Sequence, residues 1–222
     1  MIAKSPGEPN DGRNSAMAFL LSIHPLNPQP RLARQAVGAI RDGSVVVYPT
    51  DSCYALGCLI GDKEAMERIR RIRQADRNHN FTLVCRDLSE IARYARVDNS
   101  QYRTLRAFTP GPYTFILAAT REVPKRLQNP KRRTIGIRVP DNAIVRTLLA
   151  ELGEPIMSST LLLPGADVPM SDPQEIKLRL EHEVDLVIDG GPGGLEPSSV
   201  IDLSGMAPLV IRRGKGDVGP FE

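Results

Sequence analysis

Short apolar segments alternate with amphipathic segments along most of the chain. Residues 44–48 are apolar and β-branched between a glycine and a proline, a pattern that predicts a buried strand. Residues 31–41 place apolar side chains at helical spacing, and so does the stretch from Asp62 to Arg73. Asp62 is the predicted N-cap of that second helix, because its short carboxylate can accept hydrogen bonds from the free amides of the first turn.

The same alternation continues to the end of the chain. It predicts helices at 88–94, 99–108, 143–152 and 173–180 and strands at 81–85, 113–118, 134–139, 155–160, 184–188, 198–203 and 209–212. Helices between strands favour parallel pairing, whereas the closely linked strands near the end are expected to pair antiparallel. The sequence therefore predicts an α/β fold with a mixed sheet. We expect a single domain over residues 17–222, preceded by a disordered extension at 1–16 that is rich in Gly, Pro, Asn and Asp.

Composition excludes several classes of protein. Hydrophobic residues make up 41% and charged residues 25% of the 222 positions, which is typical of a globular protein. No apolar run approaches the roughly 20 residues of a membrane-spanning helix, so no membrane partner is expected. Cys53, Cys58 and Cys85 cannot all pair, and none lies in a metal-binding motif. We therefore expect a reducing, cytoplasmic compartment and no metal site.

Positive charge is carried mainly by arginine and is clustered. The net charge is only +3, but arginines concentrate at 68–73, 131–133 and 212–213. The planar guanidinium suits phosphate and carboxylate groups better than the lysine ammonium does. Codon usage and a solvated helix face explain the same clusters, so composition leaves these interpretations open.

Candidate chemistry lies at strand ends rather than in a common motif. The sequence contains no GxxxxGK[ST], GxGxxG, GxSxG or HExxH pattern. Hydroxyl, glycine and proline residues instead accompany four predicted strands, at 48–52, 109–114, 158–160 and 197–199. Ligands of open α/β sheets bind beyond strand ends, and turn chemistry explains any one of these segments alone. Four together, with Arg138 and Arg212 in strands, favour a pocket for an anionic ligand.

Four segments resemble a known family. Residues 48–57, YPTDSCYALG, are similar to the Y-P-T-[DE]-[ST]-x-Y-[GA]-L-G signature of the YrdC/YciO family. Further family motifs resemble residues 110–114, 137–140 and 198–202, in the same order. Residues 80–83 and 161–165 are most similar to the YciO branch. The resemblance implies a twisted, mixed open sheet flanked by helices, with a basic concave face.

The resemblance also implies an activity. Characterised family members condense L-threonine, bicarbonate and ATP to threonylcarbamoyl-AMP and release pyrophosphate, and the product serves the threonylcarbamoyl-adenosine modification of tRNA. Mg²⁺ is expected to accompany ATP, with no permanently bound cofactor and no catalytic nucleophile. The alternative is a protein that binds ATP or AMP and double-stranded RNA or tRNA without efficient synthase activity.

Site residues follow from the matched motifs. The resemblance implies that Thr50, Tyr54 and Ser199 contact the amino-acid substrate. The implied nucleotide-binding residues are Arg77, Thr114, Arg138, Ser158, Thr160 and Arg212.

Two positions of a family pattern are changed. The synthases of the family carry a K-x-R and an S-x-N motif. In this sequence Ala75 stands at the lysine position and Leu162 at the asparagine position. Arg77 at the arginine position and Thr160 at the serine position keep the chemistry of the pattern. Loss of one phosphate-binding cation can lower a rate about 10²-fold. A weak or altered synthase is therefore expected, with Arg73 as a candidate replacement for the missing lysine.

Overall fold

The structure is a computed structural model that describes residues 17–74 and 81–222. The predicted extension at 1–16 and the positions Ala75 and Arg77 lie outside the described residues. The helices are α1 Pro30–Arg41, α2 Lys63–Arg73, α3 Leu88–Tyr94, α4 Asn99–Phe108, α5 Ala143–Leu152 and α6 Pro173–Arg179. The strands are β1 Phe19–Ser22, β2 Val46–Tyr48, β3 Ala55–Leu59, β4 Thr82–Val84, β5 Ala95–Arg96, β6 Tyr113–Ala119, β7 Thr134–Arg138, β8 Ile156–Thr160, β9 Leu186–Asp189, β10 Ser199–Asp202 and β11 Leu209–Arg212.

These strands form one mixed sheet. Ten strands of the described residues run in the order β1-β9-β2-β3-β8-β4-β7-β6-β10-β11, and an eleventh, β5, pairs with β6 beside this path. The pairs β1–β9, β2–β9, β4–β7 and β6–β10 are parallel. The pair β10–β11 is antiparallel, as its short connection predicts. The predicted α/β class with a twisted mixed sheet and flanking helices is confirmed.

Local sequence signals explain where the helices begin and end. The Asp62 side chain accepts the Ala65 amide at 3.0 Å, which confirms the predicted cap of α2. Asp98 and Gln101 form a capping box at the start of α4. Helix α5 ends at Leu152 and is followed by Gly153, whose φ of 78° lies in the left-handed region that glycine adopts without a steric penalty.

Three strands were not predicted. β1 is a short edge strand, and β5 has only two residues, so neither carries enough alternation to be recognised. β3 contains Gly57, and glycine weakens a strand signal. A Cβ at that position would lie 2.6 Å from the Tyr48 ring, so the close packing of β2 and β3 requires glycine there.

The two faces of the sheet are covered differently. One face packs against α2, α3, α4 and α6 through a core that includes Leu83, Phe115 and Ile137. The other packs against α1 and α5 through a second core around Ile40 and Leu148. Among the described residues, that second core includes none from β6, β7 or β10. Within residues 17–74 and 81–222, α1 and α5 therefore leave this face of the sheet uncovered over β6, β7 and β10.

The helices of the described ranges are all short or polar on one side. None of them has the length and apolar character needed to cross a bilayer.

Candidate functional site

A cavity of about 360 Å³ lies on the open part of the sheet, within the usual range for a small-molecule site. Side-chain alternation builds its floor, because every second residue of a strand faces the same side. Ser198, directly before β10, lines the cavity together with Val200 and Asp202 of β10. The neighbouring strands contribute Thr82, Val84, Thr114, Ile116, Thr134, Gly136, Arg138, Ser158 and Thr160.

Arg138 is the most deeply buried of the described cations that line the cavity. Its side chain is 8% exposed and forms an ion pair with Asp51, which is 10% exposed. The same Nη2 atom donates to the hydroxyls of Ser52 at 2.8 Å and Thr50 at 3.3 Å. Arg138, at the end of β7, is thereby tied to the loop between β2 and β3.

That loop is itself closely hydrogen-bonded. The Thr50 hydroxyl donates to the Cys53 carbonyl at 2.6 Å and accepts the Cys53 amide at 3.3 Å. The second Asp51 carboxylate oxygen accepts the Asp141 amide at 2.9 Å. Thr50 and Asp51 therefore hold the loop in one conformation at the cavity wall.

Arg212 closes another side of the cavity. Its Nε and Nη2 atoms donate to the Ser198 carbonyl at 3.2 and 2.8 Å. The Ser198 hydroxyl lies 2.8 Å from the Thr114 hydroxyl, across the parallel pair β6–β10. This arrangement places two hydroxyls beside one guanidinium, a donor set that suits phosphate oxygens.

Arg73, the last residue of α2, reaches the cavity from a third direction. Its Nη1 atom donates to the Leu162 carbonyl, in the loop that follows β8. Burial lowers the pKa of Arg73, and the positive charge of Arg212 lowers it further. Burial and the positive charge of Arg138 act in the same direction on the pKa of Arg212.

Arg132 is the fourth guanidinium among the described residues that line the cavity, and a carboxylate neutralises its charge. Its Nη1 atom lies 2.6 Å from a carboxylate oxygen of Asp202, which is 2% exposed. Burial raises the pKa of Asp202, but hydrogen bonds from Ser204 and the Arg132 charge together bring it below its ordinary value. Within residues 17–74 and 81–222, Arg132 and Arg138 have carboxylate partners whereas Arg73 and Arg212 have none. The described part of the cavity therefore carries excess positive charge and suits an anion.

Five predicted site residues meet at this cavity. They are Thr114, Arg138, Ser158, Thr160 and Arg212. Thr50 does not line the cavity, but its hydroxyl accepts a hydrogen bond from Arg138, which does. Arg77 lies outside the described residues, so its assignment stays a prediction.

Tyr54 and Ser199 lie outside the cavity. Tyr54 is fully buried, and its hydroxyl donates to the Gly191 carbonyl at 2.7 Å and accepts the Gly190 amide at 3.2 Å. Burial raises the pKa of this phenol to about 12. The Ser199 hydroxyl donates to the Gly216 carbonyl at 2.5 Å. In this structure both side chains hold loops, and their implied substrate contacts stay predictions.

The comparison with known proteins agrees with this architecture. The family model for Sua5, YciO and YrdC, described as telomere recombination, matches residues 38–214. This chain belongs to that family. The resemblance inferred from the sequence motifs is thereby confirmed, including the similarity to YciO.

Two curated relatives represent different parts of the family. Protein YciO of Escherichia coli (strain K12) is 58% identical over 205 residues, which cover 92% of this chain and 100% of the relative. A threonylcarbamoyl-AMP synthase of Chromobacterium violaceum is 30% identical over 181 residues, which cover 81% of this chain and 92% of the synthase. The family therefore includes threonylcarbamoyl-AMP synthases.

Solved structures share the fold. The crystal structure of E. coli YciO has a TM-score of 0.90 at 58% identity and covers 93% of this chain and 100% of its own. P. abyssi Sua5, in complex with L-threonine, has a TM-score of 0.81 at 24% identity, covering 89% of this chain and 58% of Sua5. At that identity the likeness to Sua5 is one of fold alone.

Two arginines of the α2 cluster form ion pairs with other residues of the protein. Arg68 pairs with Asp185 at 2.8 Å. Arg70 pairs with Glu67 at 3.0 Å, and its guanidinium lies 5.3 Å from the centre of the Phe81 ring. These contacts favour a structural role for both arginines over a role as an exposed RNA-binding stripe.

The sequence analysis did not predict several residues that line the cavity. The main ones are Ser198, Arg132 and Asp202. The available signal was strand alternation, because Ser198 and Asp202 are four positions apart and must share a face, whereas Ser199 faces the other side. Arg132 carried no such signal, since it lies in the turn before β7.

Proposed function

We propose that this protein is a threonylcarbamoyl-AMP synthase that uses L-threonine, bicarbonate and Mg²⁺-bound ATP, for tRNA threonylcarbamoyl-adenosine modification. The observation that carries the proposal is the cavity on the open sheet face, where Arg73 and Arg212 have no carboxylate partner among the described residues. The 30% identity to a threonylcarbamoyl-AMP synthase supports the same assignment.

The proposed reaction needs positioning and charge stabilisation rather than a covalent nucleophile. The threonine amine combines with bicarbonate to form a carbamate, and water leaves. A carbamate oxygen then attacks the α-phosphorus of ATP and forms a new P–O bond. The bond from the α-phosphorus to the oxygen that bridges to the β-phosphate breaks, and pyrophosphate leaves with that electron pair. Fixed guanidinium groups stabilise the negative charge on the α-phosphate of the transferred adenylyl group and on pyrophosphate.

We assign the cavity residues to parts of this reaction. Arg138, tied to Thr50, lies at the amino-acid end and faces the carbamate and the α-phosphate. Arg212 binds phosphate, and the hydroxyls of Thr114 and Ser158 contact the nucleotide. Among the described residues, no cluster of three or more His, Cys, Asp or Glu side chains could hold a metal ion. In this proposal Mg²⁺ therefore enters with ATP, as part of the substrate.

A reduced rate is part of the proposal. Leu162 lines the cavity at the position where the synthases have asparagine, so one polar contact is replaced by an apolar side chain. Loss of one charge-stabilising group lowers a rate by about 10²-fold in other enzymes. We therefore propose a synthase about two orders of magnitude slower than a relative with the full K-x-R and S-x-N pattern.

The experiment measures product formation from ATP, bicarbonate and L-threonine. Threonylcarbamoyl-AMP is separated by chromatography, and pyrophosphate is measured in parallel. We expect both products only when threonine is present, and a loss of about 10²-fold or more in Arg212→Gln. Arg213→Gln is the matched control, because Arg213 is exposed and pairs with Glu222 at the surface. Absence of threonine-dependent product from the wild-type protein overturns the proposal.

The second candidate is a nucleotide- and RNA-binding protein without efficient synthase activity. Leu162 in the cavity wall favours this alternative, because it removes a polar group from the site. ATP binding without threonine-dependent product supports it. Its RNA-binding part requires an affinity for double-stranded RNA or tRNA that falls steeply with salt, as counterion release dictates.

A further inference from the structure

A hydrogen bond reaches the cavity from within the core. Tyr48 on β2 is fully buried, and its hydroxyl donates to the Ser158 hydroxyl on β8 at 2.7 Å. Strand β3 lies between these two strands, and its residue opposite Ser158 is Gly57. A Cβ at Gly57 would lie 2.6 Å from the Tyr48 ring, so the missing side chain leaves the space in which the ring crosses β3. Tyr48 therefore contacts a residue that lies two strands away.

Ser158 is the member of this pair that lines the cavity. Its oxygen accepts the Tyr48 proton, and its own proton points to the Leu56 carbonyl at 3.3 Å, well beyond the roughly 2.8 Å of a good O–H···O bond. A serine hydroxyl has one proton and rotates to suit its neighbours. Because the bond from Tyr48 directs that proton away from the tyrosine and Leu56 holds it weakly, it can turn to a ligand oxygen in the cavity.

The phenol of Tyr48 stays protonated and thus remains a donor. Burial raises its pKa to about 12, so the phenol carries its proton at neutral pH. Donation to the Ser158 oxygen also polarises the Ser158 O–H bond, because hydrogen bonds in a chain strengthen one another away from water. The acceptor that gains most from such a polarised donor is an anionic oxygen.

We propose that Tyr48 is a positioning residue that directs the Ser158 proton towards an anionic oxygen of the bound nucleotide. This inference rests on the proposed function, in which a nucleotide occupies the cavity and contacts Ser158. It gives the first residue of the segment 48–57 a role at the site, although the Tyr48 side chain lies in the core beside Ile156 and does not line the cavity.

Calorimetry with ATP and Mg²⁺ on the full chain tests this role through a double-variant cycle. Ser158→Ala removes the direct contact and should weaken ATP binding about 10-fold or more, as expected for a hydrogen bond to a charged group. Tyr48→Phe keeps the ring but releases the Ser158 proton, so it should weaken binding about threefold to tenfold. In the Ser158→Ala background, the change at Tyr48 should alter binding less than about twofold, because no hydroxyl is left for it to direct.

Tyr113→Phe is the matched control. It removes the hydroxyl of another buried tyrosine of the sheet, one that donates to the Asp217 carbonyl at 3.0 Å, and ATP binding should equal that of the wild type. A second readout leaves Tyr48 unchanged, so it also applies should Tyr48→Phe not fold. The tyrosine ring carbons that bear the hydroxyl are labelled with ¹³C, and the Tyr48 resonance is identified by its shift in Ser158→Ala. We expect ATP to move this resonance in the wild type and not in Ser158→Ala.

The outcomes separate this inference from the proposed function. Equal loss of ATP binding from Tyr48→Phe in both backgrounds, or no loss in either, overturns the role of Tyr48, and so does an equal loss in Tyr113→Phe. A Tyr48 resonance that ATP leaves unmoved overturns it as well. Loss that depends on Ser158, in a protein that makes no threonylcarbamoyl-AMP, supports the role of Tyr48 and overturns the synthase activity. A wild-type protein that does not bind ATP overturns both.

Discussion

Asp51 is the carboxylate that keeps Arg138 in place, and its removal isolates the contribution of a buried charge. Both side chains are about nine-tenths buried, at 10% and 8% exposure. Removing one partner of a buried ion pair costs about 3–5 kcal/mol, because the other charge stays buried without compensation. Asp51→Asn keeps the shape and can still accept the Asp141 amide. We therefore expect a loss near the lower end, about 3 kcal/mol in the free energy of unfolding.

Urea denaturation measures this loss, followed by a spectroscopic signal of secondary structure. Asp141→Asn is a matched control, because it removes the same charge from an exposed pair. Asp141 and Arg146 lie 2.7 Å apart with 64% and 50% of their side chains exposed. Such a surface pair contributes about 1 kcal/mol or less. We therefore expect Asp51→Asn to lower the denaturation midpoint clearly more than Asp141→Asn does.

A second variant tests the cause of the loss. In Asp51→Asn with Arg138→Met, the uncompensated charge is absent, so the double variant should be more stable than the sum of the two single changes predicts. Equal destabilisation by Asp51→Asn and Asp141→Asn would contradict a special cost of the buried charge. Additive effects of the two changes at the buried pair would contradict it as well.

Three further predictions concern other parts of the fold. A Cβ at Gly194 would lie 2.0 Å from the Ser52 carbonyl oxygen, so Gly194→Ala should lower the free energy of unfolding in urea by about 1–3 kcal/mol. The control is Gly38→Ala in α1, where a Cβ would have nothing within 4 Å, and this change should be neutral or stabilising. Equal stabilities of the two variants would contradict this prediction. Hydrogen bonds lower the pKa of Asp202 despite its burial, so the free energy of unfolding should fall as the pH drops below about 4. The fall should be less steep in Asp202→Asn. The same dependence of stability on acid pH in the variant and the wild type would contradict this prediction. Burial raises the pKa of Tyr48 to about 12, so the free energy of unfolding should fall as the pH rises above the ordinary tyrosine pKa of about 10. The fall should be smaller in Tyr48→Phe. An equal fall in both proteins would contradict this prediction.

Most of the fold could be predicted where a segment carried several turns of periodicity or a strong boundary signal. Helices α3, α4 and α5 have the predicted bounds, because each begins after a capping side chain and repeats apolar residues over its length. β3 could not be predicted, since its identity depends on the packing of Gly57 against Tyr48 across the sheet. That contact joins residues whose proximity only the tertiary structure establishes.

The site was predictable in its chemistry but less so in its geometry. Strand-end hydroxyls with Arg138 and Arg212 indicated an anion pocket, and these groups do line one cavity. The choice between Ser198 and Ser199 depends on which face of β10 lies open, and the sequence of β10 alone does not reveal that. The position of Arg73 depends on where α2 ends relative to the loop after β8, which is likewise a matter of tertiary packing.

The most direct test of the proposed function follows the carbon atom of bicarbonate. Labelled bicarbonate is incubated with ATP, Mg²⁺, L-threonine and the full chain, and label in the adenylate is compared with the pyrophosphate released. We expect equal amounts of both products, and only when threonine is present. Both amounts should fall about 10²-fold or more in Arg212→Gln and stay unchanged in Arg213→Gln. Pyrophosphate released without label in the adenylate, or no product under conditions in which ATP binds, would contradict it.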